Sequence, residues 1–214
     1  MNSIDKLIEI FSKFPGIGPR QARRFVYHLL TRANGALEEL AYHIKNLKVD
    51  IAVCDDCQRF FQLHHTSKQE GSPHVCDVCS NKTRDHTILM IVQRDIDLES
   101  VEKNDEFNGI YFVLGGSVPI LEKEPEKRIR IKKLKEFINL RQAQDKEQKI
   151  KEIILGVNWN PEGENTGDYV AKELKSITDK YKIKITHLGK GLSMGAELEY
   201  TDSDTLKNAL KNRS

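Results

Sequence analysis

Four cysteines stand in two Cys-x-x-Cys pairs, Cys54/Cys57 and Cys76/Cys79, and they are all the cysteine that the chain contains. Two pairs at this spacing supply the four thiolates of one tetrahedral zinc ion. A zinc ion closed by four thiolates keeps no open position for a substrate, so the pattern predicts a structural site in a protein that presents surfaces. Two disulfides or a redox pair are the alternatives. The chain is not a small cysteine-dense scaffold, and neither pair follows a βαβ pattern.

The 18 residues between the two cysteine pairs are polar over much of their length. We interpret the part from Gln62 to Pro73 as an exposed loop. His64, His65 and His74 are possible metal ligands by residue type. Because four thiolates already fill a zinc shell, we expect these histidines on the surface.

The composition of the 214 residues, 38% hydrophobic and 31% charged, is typical of a globular protein with one or two domains. No apolar run reaches the ~18 residues that a membrane helix needs. The first residues form an amphipathic pattern that contains acids, which is unlike a secretory or transit signal. We therefore expect a cytoplasmic protein without membrane contact.

Two basic segments stand out on a chain whose net charge is only +2. Residues 1–50 hold eight Lys/Arg against five acids, and residues 127–151 hold ten against three. Such segments suit a polyanion such as a nucleic acid. For residues 127–151, a solvated lysine-rich helix face is an equally good interpretation.

Helical periodicity in the first fifty residues predicts three helices, and the sequence PGIGP separates the first helix from the second. Glycines at Gly16 and Gly18 permit a tight turn and a close approach of the backbone to a partner, and Ile17 can pack between the helices. The N–H groups that begin the second helix suit a phosphate. Arg20 and Arg24, one turn apart, could hold neighbouring phosphates. The segment resembles a helix-hairpin-helix DNA-binding module with no preference for sequence; an ordinary helical hairpin is the alternative.

The pattern changes to strands alternating with helices after residue 86. Apolar runs at 88–92, 110–114 and 153–157 predict buried parallel strands, and residues 183–188 alternate as a strand nearer an edge does. We therefore predict a mostly parallel α/β sheet with helices on both faces. Functional residues should then gather at the carboxyl ends of the strands.

Those strand ends resemble the Toprim domain of topoisomerases and primases, whose carboxylates hold magnesium. This chain has Gln93 where the resemblance implies a Glu, and Asn158 and Asn160 where it implies two Asp. An amide cannot act as a general base, and three amides remove the charge that holds Mg²⁺. Glu162 and Glu164 are retained. We interpret them as helix-start acids or a partner-docking surface, with weak metal binding as the alternative.

The order of these segments is similar to that of one family, the bacterial RecR recombination mediators. The closing segment, from Leu188-Gly189 through Gly195-Ala196 to Tyr200, also resembles that family. The chain departs from the common pattern at Gln93, in the length between the cysteine pairs, and in having Asn158-Trp159-Asn160 for a typical Asn-Pro-Thr. The hairpin and the cysteines are unaffected.

The resemblance implies a non-enzymatic DNA clamp in recombinational repair, which binds single- and double-stranded DNA. It also implies homo-oligomers from dimers to ring-like tetramers, and cooperation with RecO, and in many bacteria RecF, to load RecA onto single strands coated by SSB. Arg20 and Arg24 match DNA-binding positions of the family. The four segments expected are a helix-hairpin-helix module at 1–52, a zinc finger at 53–82, a Toprim domain at 83–196 and an oligomerisation tail at 197–214.

Two other functions remain open at the level of sequence. One is a metal-dependent Toprim nuclease or nicking enzyme that uses Glu162 and Glu164. The other is a zinc-containing adaptor that binds only proteins.

Overall fold

The computed structural model describes residues 2–63, 74–143, 149–189, 191, 199, 201 and 203–211. The chain divides into two compact units, Met1–Ala52 and Val53–Ser214. Among the described helices, none is both long enough and apolar enough to span a membrane.

The first unit consists of three helices, α1 (Ser3–Phe11), α2 (Pro19–Leu30) and α3 (Asn34–Asp50). Asn2 begins α1, because its side-chain oxygen accepts the Asp5 N–H at 2.9 Å and so satisfies a free donor of the first turn. Pro19 is the first residue of α2, where a missing N–H costs nothing. The predicted break therefore lies between α1 and α2.

The first unit buries little apolar surface. Phe11 packs edge-on against Phe25 with ring centroids 6.2 Å apart, and of the residues described in this unit only Ala22 and Val26 are fully buried. Many large apolar side chains stay exposed; they include Leu7, Ile10, Phe14, Tyr27, Leu30, Leu40, Tyr42, Ile44 and Leu47. A module of three helices with so small a core leaves an extensive apolar surface uncovered in a single chain.

The second unit contains the cysteine pairs and the sheet. The strand β1 (Ile51–Val53) spans the boundary between the units. The elements that follow it in chain order are β2 (Phe60–Gln62), α4 (Asp77–Ser80), β3 (Asp85–Val92), α5 (Asp95–Glu102), β4 (Gly109–Val113), a 3-10 turn (Pro125–Lys127), α6 (Ile131–Gln142), β5 (Glu152–Gly156), α7 (Pro161–Tyr181), β6 (Lys184–His187) and α8 (Ser203–Lys211).

Strands β3 to β6 form a four-stranded sheet in the order β4-β3-β5-β6, and every pair in it is parallel. The predicted parallel α/β sheet is thus confirmed, including the position of residues 183–188 at an edge. β4 also lies at an edge but is buried along its whole length. Its continuous apolar sequence is explained by cover on both faces.

The two faces of the sheet have different covers. Leu89 and Ile91 point into a core shared with α6 and α7. Met90 and Val92, which alternate with them along β3, point into a second core that contains all four cysteines and Leu98 of α5. Helices α6 and α7 therefore cover one face, and the cysteine module together with α5 covers the other.

Candidate nucleic-acid interface and metal centre

The turn between α1 and α2 has the geometry that a close backbone partner requires. Gly16 has φ +76°, a left-handed conformation that favours glycine, and the space around its Cα is open. Ile17 is half-buried and donates its N–H to the Phe14 carbonyl at 3.1 Å. Gly18 has ordinary extended backbone and caps α2, with no side chain to bond the first N–H groups of that helix. These donors are left at an exposed positive helix end.

Arg20 and Arg24, the two residues for which the sequence analysis predicted phosphate contacts, are both exposed on the first two turns of α2. Arg24 donates to Gln21 of the same helix in a long hydrogen bond of 3.4 Å, which leaves its charge available.

The same helix face carries residues that the sequence analysis did not single out. One groove along α2 is lined by Pro19, Arg20, Arg23, Arg24, Tyr27 and His28. The spacing of three and four residues from Arg20 was the signal that could have identified them.

The four cysteine sulfurs converge on one point. All four Sγ atoms lie within 4.8 Å of one another, and the Cys57 and Cys76 sulfurs are 3.6 Å apart. A tetrahedral zinc ion with Zn–S bonds of about 2.3 Å places its sulfurs ~3.8 Å apart. The four residues are buried and not joined in disulfides, so the donor set fits one zinc ion.

Electrostatics within the cluster favour a bound cation. Hydrogen bonding to the thiols of Cys57, Cys76 and Cys79 lowers the pKa of Cys54 below its usual range. Burial opposes this shift, because a lone thiolate is poorly solvated there. A divalent cation removes that conflict by replacing the shared protons with metal–sulfur bonds. His74 lies outside the converging group, and His64 and His65 lie outside the described residues.

The carboxyl ends of the strands carry the amides and acids that the sequence indicated. They line a shallow pocket of about 180 Å³, formed by Gln93, Arg94, Gly116, Ser117, Asn158, Asn160 and Glu162. Gln93 is 3% exposed and its Oε1 accepts the Asn158 N–H at 3.2 Å. Asn160 caps α7, because its Oδ1 accepts the Gly163 N–H at 2.7 Å. Two of the three amides thus have structural hydrogen bonds.

The retained acids lie in the first turn of α7, where a carboxylate is favoured by the helix dipole. Glu162 also accepts a hydrogen bond from the Ser117 hydroxyl. Among the described residues, the cysteines are the one group of three or more His, Cys, Asp or Glu side chains that could hold a metal ion. The sheet edge therefore does not assemble a carboxylate set for magnesium in the described part of the chain.

Six of the nine described cations of the basic segment 127–151 bond to groups within their own unit. Of its described cations, Lys127 pairs with Glu124, Arg128 with Glu122, Lys135 with Glu173 and Arg141 with Asp56. Arg130 and Lys133 donate hydrogen bonds to Gln58. Since these groups are already engaged, the structure favours internal pairing over the polyanion-binding interpretation of this segment.

Comparison with known proteins identifies three parts of the chain. Residues 4–48 match the family model of the RecR helix-hairpin-helix, residues 87–188 match the Toprim domain, and residues 191–214 match the RecR C-terminal segment. The chain is 35% identical to a protein of Staphylococcus haemolyticus, 33% to one of Staphylococcus saprophyticus and 34% to one of Lactobacillus acidophilus. Each is named recombination protein RecR, and each match covers 99% of this chain and 96% of the relative.

Removing one sulfur ligand should destabilise the second unit strongly. We expect Cys76→Ser to lower its free energy of unfolding by about 4 kcal/mol or more, because the cysteines share a core with β3 and β4. Urea unfolding followed by circular dichroism, with zinc content measured by mass spectrometry, checks this. Ser80→Ala, on the same short helix, is the control and should change neither quantity. A zinc-free Cys76→Ser protein as stable as wild type would contradict the metal assignment.

The two glycines of the hairpin should respond differently to alanine. Gly16→Ala should cost about 1 kcal/mol of stability, because its backbone is left-handed. Gly18→Ala meets open space and an allowed backbone, so its cost should be smaller and limited to the poorer capping of α2 by alanine. The added methyl group stands at the exposed helix end, and we expect it to weaken DNA binding by about tenfold, or about 1.4 kcal/mol. Thermal unfolding and fluorescence anisotropy measure the two effects; full DNA affinity in Gly18→Ala would argue against backbone contact at this turn.

Proposed function

The chain belongs to the RecR family of recombination proteins, and on that premise we propose that it is a non-enzymatic DNA clamp of recombinational repair. In this role it would help RecO, and RecF where that protein is used, to load RecA onto single-stranded DNA coated by SSB. The observation that carries the proposal is the hairpin itself. An exposed, positive helix end follows a glycine turn and carries two exposed arginines one turn apart.

The proposed DNA contacts are made to phosphates. Backbone N–H groups and arginine side chains at the start of α2 recognise the charge and shape of the DNA backbone, and they do not distinguish bases. Gly16, Ile17 and Gly18 form the turn that brings this helix end close to DNA, and Arg20 and Arg24 add the charge. Binding through such contacts extends to both single and double strands without sequence preference.

Zinc is the cofactor that this proposal assigns to Cys54, Cys57, Cys76 and Cys79. A zinc ion bound there supplies structural cross-linking of the two cysteine pairs and no chemistry on DNA. The protein's own contribution is the buried, converging arrangement of the four sulfurs.

The alternative of a Toprim nuclease rests on Glu162 and Glu164, which the chain retains. Against it stand Gln93, Asn158 and Asn160. These neutral amides do not supply the charge that magnesium needs, and none of them can accept a proton as a base. The proposal therefore assigns Glu162 and Glu164 to helix stabilisation and to docking of a protein partner.

Oligomer formation is part of the clamp hypothesis, since one chain cannot encircle DNA. The exposed apolar side chains of the helical unit support it, and the tail at 197–214 is proposed to help close the ring.

Ile44 and Leu47 are 64% and 62% exposed on α3. If they lie in a contact between chains, Ile44→Glu combined with Leu47→Glu should convert dimers or tetramers to smaller species in mass photometry. Lys45→Glu is the control on the same helix, and an unchanged mass in the double variant would remove α3 from the interface.

The salt dependence of DNA binding tests the proposed interface. Each phosphate contact on single-stranded DNA contributes about −0.7 to the slope of log K against log salt. Arg20→Ala with Arg24→Ala should therefore reduce the steepness of the slope by about 1.4 for each hairpin that contacts DNA, without unfolding the protein. Lys45→Ala with Lys48→Ala removes the same charge from α3 and should preserve the slope more closely. Equal slopes for wild type and the Arg20/Arg24 variant would exclude the hairpin as the DNA site.

A further inference from the structure

Three cations of the basic segment bond to one turn of the metal centre. We call residues 54–58 the first knuckle and residues 76–80 the second knuckle. Arg130, Lys133 and Arg141 lie at or within α6, and each donates a hydrogen bond to the first knuckle. A helix that the sequence marked only as basic thus faces the cysteine module.

Gln58 is the residue on which two of these bonds converge. The Arg130 Nη1 donates to the Gln58 carbonyl at 2.9 Å, and the Lys133 Nζ donates to the Gln58 Oε1 at 2.8 Å. The Gln58 Nε2 donates in turn to the carbonyls of Cys54 at 3.1 Å and Asp55 at 2.9 Å. Gln58 is 5% exposed and has φ +64°, a costly conformation for a non-glycine residue. These bonds hold the turn in that conformation.

Arg141 and β4 fix the remainder of the first knuckle. The Arg141 Nη2 donates to the Asp56 Oδ2 at 2.9 Å, and the guanidinium lies over the Phe137 ring, 5.2 Å from its centroid. Only 8% of the Arg141 side chain is exposed, against 36% of the Asp56 side chain, so solvent reaches this pair from the Asp56 side only. The Val113 N–H also donates to the Cys57 carbonyl at 2.8 Å.

The second knuckle makes its long-range hydrogen bond and ion pair with the first knuckle and with Arg59 beside it, while its Val78 packs into the shared core. The Cys76 N–H donates to the Cys54 sulfur at 3.4 Å, and Asp77 pairs with Arg59 at 3.4 Å. His74, which precedes the second knuckle, makes two hydrogen bonds with Asp55. The Asp55 N–H donates to the His74 carbonyl and the His74 N–H donates to the Asp55 Oδ2, each at 2.8 Å. None of the described cations of α6 bonds to residues 76–80. The side chain of Asp77 is 82% exposed, so its ion pair is weak.

We propose that Arg130, Lys133 and Arg141 are positioning residues for the metal. They hold the first knuckle in its metal-binding conformation, so that Cys54 and Cys57 form a preset half-site on which Cys76 and Cys79 close. Because the protein body fixes the first knuckle, the metal does not have to order it. This inference depends on the assignment of zinc to the cysteines and is independent of DNA binding.

Zinc release tests the proposal on the metal-loaded full chain. Lys133→Met combined with Arg141→Met removes two of the three donors, and we expect zinc to transfer to a chelator about 10–100 times faster, as for other residues that orient metal ligands. Lys135→Met is the matched control, since Lys135 is a cation of the same helix that pairs with Glu173 on α7. The control should release zinc at nearly the wild-type rate. Lys133→Arg with Arg141→Lys should restore most of the retention.

A second readout follows the order in which the cysteines become free. Chelator and iodoacetamide are added together to wild-type protein, and peptides are quantified by mass spectrometry at successive times. Cys76 and Cys79 should be alkylated before Cys54 and Cys57, and the double methionine variant should lose this difference. Equal alkylation of all four cysteines in wild type overturns the proposal, as does zinc release from the double variant at the control rate. Wild type that binds no zinc overturns it as well, and it does so without bearing on DNA binding.

Discussion

The second unit depends on one shared core, in which four cysteine side chains pack against the face of a parallel sheet. Met90, Val92, Tyr111 and Val113 point into it from β3 and β4. Four sulfurs that converge without a cation must share protons in an apolar surrounding, where burial disfavours any thiolate. A bound zinc ion would turn this unfavourable cluster into a cross-link. The cysteine cluster therefore packs as part of the core that stabilises the sheet, and it is not a separate zinc-finger domain.

Several features that suggest function when the sequence is considered alone are engaged within the second unit. Arg130, Lys133 and Arg141 bond to the first knuckle and Lys135 pairs with Glu173, so much of the basic helix is engaged within its own unit. The amides at the strand ends are also engaged, since Gln93 bonds to Asn158 and Asn160 caps α7. With the sheet edge and the basic helix so occupied, the hairpin of the first unit retains the exposed, unpaired positive charge that a polyanion requires.

Local patterns in the sequence predicted most of the helices and strands, but they did not predict contacts between residues far apart in the chain. Apolar runs located the strands, the cysteine spacing located the metal centre, and Gly16 with Pro19 located the hairpin, because each is determined by neighbouring residues. The pairing of Arg141 with Asp56 joins residues 85 positions apart. No periodicity encodes such a contact, so the basic segment remained ambiguous. The sequence also predicted helices on both faces of the sheet. It did not reveal that the cysteine module covers much of the face that α5 also covers, because that packing joins distant residues. Most of the closing segment that resembles the RecR family, residues 192–198, lies outside the described residues.

The central claim is that this protein binds DNA and leaves its backbone intact, and one agarose gel tests both halves. Supercoiled plasmid is incubated with saturating protein and Mn²⁺, and samples are run before and after removal of the protein. The account predicts retarded plasmid before removal and fully supercoiled plasmid afterwards. Nicked or linear plasmid that disappears in a Glu162→Gln variant would contradict it, because an acid at the sheet edge would then be catalytic.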